Sequence, residues 1–564
     1  MLCATRNFAA AKACRFGGGN FPLNLHNLIF FWINITHNNH PKRKVAKFLE
    51  YKIETQTVNT LSTVFKGNIE QSIDLDFNLP DYCPDIQKIL KCQAYPKIIS
   101  KNLNEDKLNI EGITIINLIY LDAEKLTIHS CEHTSPFSAS YKLKKPLNTN
   151  EFAIFSKPDV EYINCRAITQ RRLDIHGAFF VNTEIKVKKE IELTVSVDDE
   201  NIEQKLESVN LNNLESITQK EFTVNETFEL EKELLPIESI INSDLKVKIK
   251  DYRAITNKLI LNCEALLDVL YINNIETGEI NSLKHKYEFS QIIDIENLSE
   301  EDIFNIDINT ITHDINLKSD ATGEAGLLTL DSKFLVNIFT FKNKEIKILT
   351  DAYSTLYETS INKKETIIDT FLKQINTEYN HEPRIDLNNL DISRITDLRN
   401  ELSSVYAIYD GTNIKFTGKY NICILYINLE NEISYLEKVI DFEYLYNLNE
   451  DIKELILEPN ININSIKYSF NENKSLEIST NINFLCSVHK TQNINLIENI
   501  LADEEKEITK DKNSSLILYY AQANEKIWDI SKKYFIPESL IKEENDLSDS
   551  EEIIEAKSML IIPN

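Results

Sequence analysis

No apolar run in this sequence approaches the roughly 18 to 20 residues of a membrane-spanning helix. The longest early one, Leu28 to Ile33, is far too short, so the body of the chain is not expected to insert in a membrane. Positive charge is scarce as well. Sixty-one Lys and Arg against 88 Asp and Glu leave a net charge of −27, which disfavours a nucleic-acid surface because phosphate binding needs cations. Glycine occurs only 11 times in 564 residues, and Gly17, Gly18 and Gly19 stand together near the start. The 9 cysteines are odd in number and scattered, unlike the dense even set of a small secreted disulfide domain. Cys263, Cys423 and Cys486 fall inside strand-like runs, where a reduced thiol behaves as a small apolar group. A reducing cytosol is therefore expected. Methionine is found only at Met1 and Met559.

What the chain does have is one long text used three times. Leu108 to Leu121 alternates β-branched and aromatic residues with their neighbours on a two-residue step, the pattern of a strand, and Gly112 interrupts without ending it. Leu259 to Ile272 and Ile414 to Ile427 repeat it, and all three end in aliphatic-Tyr-aliphatic around Tyr120, Tyr271 and Tyr426. A Phe follows each Tyr at a similar distance, at Phe137, Phe289 and Phe442, and a long run closes each unit: Leu173 to Val187, Leu327 to Phe339 and Leu476 to Cys486. The tyrosines stand roughly 150 residues apart, a period that indicates tandem domains rather than a solenoid, whose repeats are about 20 to 50 residues.

Polar and charged stretches separate the units, from Val197 to about Ser216 and from Asp351 to Lys363. The segment from Ala502 to Ser515 has almost no apolar surface to bury and reads as a flexible tether. Residues 1–49 differ from everything after them, with seven basic residues and no acid. Their densest basic cluster follows the apolar run, the wrong order for a signal peptide. They are expected to be a disordered leader or a mis-called start; a later start would need a non-standard codon, such as one read here as Val45 or Leu49.

The first unit opens with Leu79-Pro80-Asp81-Tyr82-Cys83-Pro84-Asp85-Ile86-Gln87-Lys88-Ile89-Leu90. Pro84 suits the first residue of a helix and Asp85 its positive end, and Ile86, Ile89 and Leu90 would give that helix an apolar stripe. Together with the Gly112-to-Tyr120 strand and Pro136-Phe137-Ser138, this text resembles the SPOCS-domain family of clostridial spore-coat morphogenetic proteins. The resemblance covers roughly residues 70 to 563. It is strong in the first unit and weaker in the other two, where the opening has drifted to Leu234 to Ile241 and to the stretch after Pro383.

Residues 516–564 form a different small unit. Leu516 to Ala521 is strand-like, Ile527, Ile530 and Tyr534 share a helical face beside Trp528, Pro537 opens a second helix, and Leu560 to Pro563 closes as a strand. This order resembles a LysM domain. Where that family usually carries Gly-Asp-Thr, whose backbone helps cradle N-acetylglucosamine, this chain has Asn524-Glu525-Lys526. The missing Gly alters how closely a sugar could approach.

No catalytic constellation emerges. Gly411 to Lys419 has six residues between glycines instead of the four of a phosphate loop, and Tyr420 stands where Ser or Thr must meet magnesium. His129, Cys131 and His133 share a strand face, but a fourth metal ligand is not evident. Cys83 and Cys92 have no second pair at zinc spacing and read as structural. The carboxylate pairs Asp198-Asp199 and Glu504-Glu505 read as solvated charge.

The fold expected is mainly β. Three tandem β-rich, sandwich-like domains occupy 50–200, 217–352 and 364–500, followed by a charged linker at 501–515 and a small βααβ, LysM-like domain at 516–564. The function expected is a non-catalytic scaffold for spore-coat assembly with no cofactor and no metal. The resemblance implies the partner, a SpoIVA-like coat-basement morphogenetic ATPase at the forespore surface in the mother-cell cytoplasm, with other coat proteins as further partners. Candidate contacts are Tyr519, Asn524, Glu525, Lys526, Ile527, Trp528 and Asn545, with Trp528 filling the small core, lining the partner surface, or both. The alternative is a cell-wall protein whose LysM-like domain binds peptidoglycan through N-acetylglucosamine.

Overall fold

A computed structural model describes residues 48–124, 127–230, 234–318, 327–386, 392–449, 452–470, 475–509 and 516–563. Strands dominate them, as the two-residue alternation requires. After the three-residue β1 (Phe48–Glu50), the first unit consists of β2 (Ile53–Asn78), β3 (Ile86–Asn104), β4 (Lys107–Asp122), β5 (Ile128–Lys142), β6 (Phe152–Ala167) and β7 (Arg172–Val197). The second consists of β8 (Ile202–Glu229), β9 (Ser239–Ile255), β10 (Lys258–Asn274), β11 (Glu279–Asp294), β12 (Ile303–Lys318) and β13 (Leu327–Ser354). The third adds one short strand: β14 (Tyr357–His381), β15 (Arg384–Asp386), β16 (Ile392–Tyr409), β17 (Asn413–Asn428), β18 (Ile433–Asn447), β19 (Leu455–Phe470) and β20 (Ser475–Glu507).

Strand pairing repeats with the text. In the first unit β3-β4-β5 forms one sheet and β2-β7-β6 the other; in the second, β9-β10-β11 and β8-β13-β12; in the third, β16-β17-β18 and β14-β20-β19. All of these pairs are antiparallel. The two sheets of each unit close over an apolar core, such as that of Ile73, Ile110, Leu118, Ile154, Ile175 and Phe179 in the first.

The repeated landmarks are parts of one device. Phe137 lies directly across the strand pair from Gly112, Phe289 from Cys263 and Phe442 from Gly418. Each of these rings also meets a ring from the opposite sheet: Phe137 with Phe179 at 5.0 Å, Phe289 with Phe334 at 5.1 Å, and Phe442 with Phe484 at 6.0 Å. The small residue leaves the ring room to lie over the strand and reach across the sandwich. The repeated Tyr fastens the opening segment in two units, Tyr120 donating to the Pro84 carbonyl at 3.1 Å and Tyr271 to the Leu235 carbonyl at 3.2 Å.

The helix expected after Pro84 is strand β3. Its register with β4 shifts between Ile86 and Lys88 and again between Ile89 and Lys91. Each bulge inserts a residue, so Ile86, Ile89 and Cys92 all return to the same core at the three-residue spacing that imitates a helical stripe. The bulged Leu90 instead joins a second cluster with Ile241 and Leu425 of the other units.

The stretches expected as polar boundaries are also strand. β8 starts at Ile202 and β13 runs on through Asp351 to Ser354. The tether expected at 501–515 is strand through Glu507, with Ala502 paired to both Leu49 and Thr359; residues 510–515 lie outside the described residues. The leader expected over 1–49 lies outside them through residue 47, and Phe48 and Leu49 belong to β1.

These extensions join the units. The outer halves of the long strands contribute Val58 and Leu193, Leu211, Ile346 and Ile348, and Ile368, Ile494 and Leu496 to one buried cluster shared by all three units. A second shared cluster holds Ile119, Leu121 and Ile128 against Ile241, Leu270 and Ile272 and against Leu425. Polar ties cross the same boundaries: Asn117 Nδ2 donates to the Ile241 carbonyl at 2.9 Å, Gln374 Nε2 to the Ile306 carbonyl at 2.8 Å, and Thr194 Oγ1 to the Ile497 carbonyl at 2.6 Å.

A methyl group on Gly112 would sit 2.3 Å from the Lys97 carbonyl oxygen and 2.4 Å from the Phe137 ring. Gly112→Ala is expected to cost about 1–3 kcal/mol by overpacking, read as a lower midpoint in urea unfolding. An unchanged midpoint would contradict the role given to the Phe137 ring.

Candidate functional site

The C-terminal residues form β21 (Leu516–Ala521), α1 (Ile527–Tyr534), α2 (Glu538–Glu544) and β22 (Ser558–Pro563), the strand-helix-helix-strand order expected. Ala521, Ile527, Ile530, Ile541, Leu560 and Ile562 make its core. Asn545 ties α2 to β22: its side-chain amide donates to the Ile541 and Ile561 carbonyls at 2.8 and 2.7 Å and accepts from Ile561 N–H at 2.6 Å. Ile527 and Asn545 therefore serve the fold of the unit itself.

Trp528 faces neither the centre of that core nor solvent. It is 6% exposed and packs edge-on against Tyr353 of β13 with ring centroids 5.0 Å apart. Its indole N–H donates to Asp351 Oδ2 at 2.9 Å, and Lys532 Nζ donates to both Asp351 oxygens at 2.7 and 2.8 Å. Tyr353 donates its hydroxyl to the Ile536 carbonyl at 2.8 Å. The C-terminal unit is thus seated on the end of β13. Burial alone would push the Asp351 carboxyl up, but Lys532 and the Trp528 N–H outweigh it and hold the group below its ordinary value.

Tyr519, Asn524, Glu525 and Lys526 gather at the turn before α1. Tyr519 donates its hydroxyl to Glu525 Oε1 at 2.5 Å, and its ring lies under Lys533 Nζ at 4.8 Å. That hydrogen bond pushes the phenol up to about 12. Asn524 takes φ +66, a left-handed conformation that Asn tolerates better than most residues, so the turn survives without Gly. Three N–H groups at the turn are occupied internally: Gln522 N–H goes to Glu525 Oε2 at 2.9 Å, Asn524 N–H to the Ile554 carbonyl at 2.7 Å, and Glu525 N–H to the Gln522 carbonyl at 3.3 Å.

The face that remains open was not among the sequence candidates. β21 and β22 pair Leu516 with Pro563, Leu518 with Ile561 and Tyr520 with Met559. These residues alternate with the inward set, and Leu516, Leu518, Tyr520 and Met559 are 48%, 51%, 71% and 51% exposed. The signal was present: Leu516 to Ala521 is apolar without interruption, and a strand covered on one side only should alternate with polar residues.

The remaining sequence candidates separate. Cys131 lies in the core of the first unit, His129 turns to Asp122 and Thr127, and His133 lies against the Phe77 ring at 5.2 Å. Among the described residues no three His, Cys, Asp or Glu side chains converge as a metal would require. Gly411, at φ +104, sits in the turn between β16 and β17, where Asp410 Oδ1 accepts from the N–H groups of Thr412 and Asn413.

Asp351→Ala should loosen the seat and speed the proteolytic separation of the C-terminal unit on the order of tenfold, the loss of one charge-assisted contact. Because the Asp351 value is lowered, its contribution is complete at neutral pH, begins to fade below about 4 and vanishes only below the still lower folded-state value. Cleavage of the parent chain should therefore accelerate on acidification while the variant changes little. Equal rates for both at neutral pH would contradict the seat.

Residues 85–168 and 236–318, which span β3 to β6 and β9 to β12, match the family described as SipL, SPOCS domain. No curated protein and no solved structure matches the chain. The third unit shares the strand order of the two matched ones without a match of its own. Two stretches of the chain are thus similar to the SPOCS domain of the SipL family.

Proposed function

We propose that this chain is a non-catalytic scaffold of spore-coat assembly, recruited to the forespore surface in the mother-cell cytoplasm and retained in the coat. The SPOCS matches give the coarse assignment to a sporulation, coat-related protein. The recruiting partner in this reading is a SpoIVA-like coat morphogenetic ATPase, bound by the C-terminal LysM-like unit, with other coat proteins assembling on the SPOCS body.

The observation that carries the reading is the outer face of β21 and β22. Leu516, Leu518, Tyr520 and Met559 form an apolar surface on a unit whose opposite side is already committed to Asp351 and Tyr353. Contiguous apolar side chains left in water mark contact surfaces, and Tyr and Met are enriched in them. Trp528 acts in this scheme through the seat and not by touching the partner. A peptidoglycan reading draws support from the preserved turn at Asn524. It is opposed by the N–H groups of Gln522, Asn524 and Glu525, which already have partners within the chain.

Leu518→Glu combined with Tyr520→Glu should leave the fold intact, since both side chains are exposed, and weaken capture of the purified ATPase by the full-length chain at least about tenfold. Undiminished capture by the folded variant would remove this face from the contact. Retention on chitin oligomers without capture of the ATPase would favour the wall-binding reading instead.

A further inference from the structure

Four cysteines of the first unit come together in the fold as two pairs. Cys83, in the opening turn, lies with Cys131 of β5 in the buried core, and both are inaccessible. Cys92 of β3 and Cys165 of β6 are different. They meet where the edges of the two sheets approach each other, and both are only half-buried.

Three observations fix their juxtaposition. β3 and β6 run alongside each other, with Lys101 Nζ bonded to the Ile154 carbonyl at 3.0 Å. Cys92 of β3 and Cys165 of β6 both pack against the one core of the first unit, on the two edge strands that meet there. Second, each thiol perturbs the other, the Cys92 group being pushed up by its neighbour and the Cys165 group held below its ordinary value by it. Third, the third unit shows what belongs there. Aligning Gly112 with Gly418 and Phe179 with Phe484 places Leu398 and Ile466 at the positions of Cys92 and Cys165, and these two pack within a single buried cluster. The seam thus brings its two side chains together whatever their chemistry, and in the first unit both are thiols.

We propose that Cys92 and Cys165 are a dithiol poised for oxidation to a disulfide, a modification site that staples the β3 edge of one sheet to the β6 edge of the other. The oxidant is a low-molecular-weight disulfide such as oxidised glutathione. The Cys165 thiolate, which the Cys92 S–H stabilises, attacks one sulfur of that molecule and expels the first small thiolate, leaving a mixed disulfide on Cys165. Cys92 then gives up its proton and attacks the Cys165 sulfur, expelling the second. Two protein thiols become one disulfide, one small disulfide becomes two thiols, and the two protons lost by the cysteines end on the expelled thiols. Cys83 and Cys131, lacking access, stay reduced.

The test is to incubate the full-length folded chain with oxidised glutathione, alkylate the remaining thiols and map the peptides by mass. The expected product joins the Cys92 and Cys165 peptides, weighs two hydrogens less than their sum, and is reversed by dithiothreitol. The same treatment should raise the unfolding temperature by roughly 3 °C. That rise should be absent in the double variant Cys92→Leu, Cys165→Ile, which installs the pair carried by the third unit and so preserves packing. Finding both thiols alkylated, or carrying separate glutathione adducts without the cross-link, would overturn the proposal.

Discussion

Everything in this molecule depends on the apolar seam at which three long antiparallel strand pairs meet. β7, β13 and β20 run for 26, 28 and 33 residues, where strands usually span 3 to 10. Each uses its first half to close a sandwich and its second half to reach the seam, where Leu193, Ile346, Ile348, Ile494 and Leu496 are buried together. A free unit would expose that row to water, at about 1.5–3 kcal/mol for each fully buried aliphatic side chain. Three duplicated sandwiches therefore form one body instead of a string.

The duplication was legible because its landmarks obey local rules. A ring that must lie across a strand needs a small partner, so Gly112 and Gly418 recur opposite Phe137 and Phe442, and Cys263 stands opposite Phe289. The charged stretches misled for an equally local reason. After Val187 the text becomes Lys188-Lys189-Glu190, which reads as a boundary, yet Ile191, Leu193, Val195 and Val197 recur on a two-residue step and turn towards the shared clusters. Alternation signals a strand but does not say which surface its apolar side will meet. The false helix after Pro84 has a similar origin, since two bulges convert the strand's step of two into a step of three.

At the C-terminal unit the sequence located the order of elements but not the surface on which Trp528 rests. Trp528 was singled out as core or partner contact, and its ring packs on Tyr353 and its N–H reaches Asp351. Neither residue of the body could be foreseen from the text, because Asp351 lies in what looked like a linker and about 180 residues away. The seat fixes which side of the unit is spent and therefore which side is free. In the proposed function, a unit held this way presents Leu518 and Tyr520 to the partner from a defined position on the body, and holding a weak contact in place raises its effective concentration.

The central claim, that the shared seam makes the three units one cooperative body, is tested most directly by scanning calorimetry of the intact chain. A common core predicts that the three units unfold in a single transition, with the calorimetric enthalpy equal to the van't Hoff enthalpy. Three resolved transitions, each with the enthalpy of one sandwich, would contradict it.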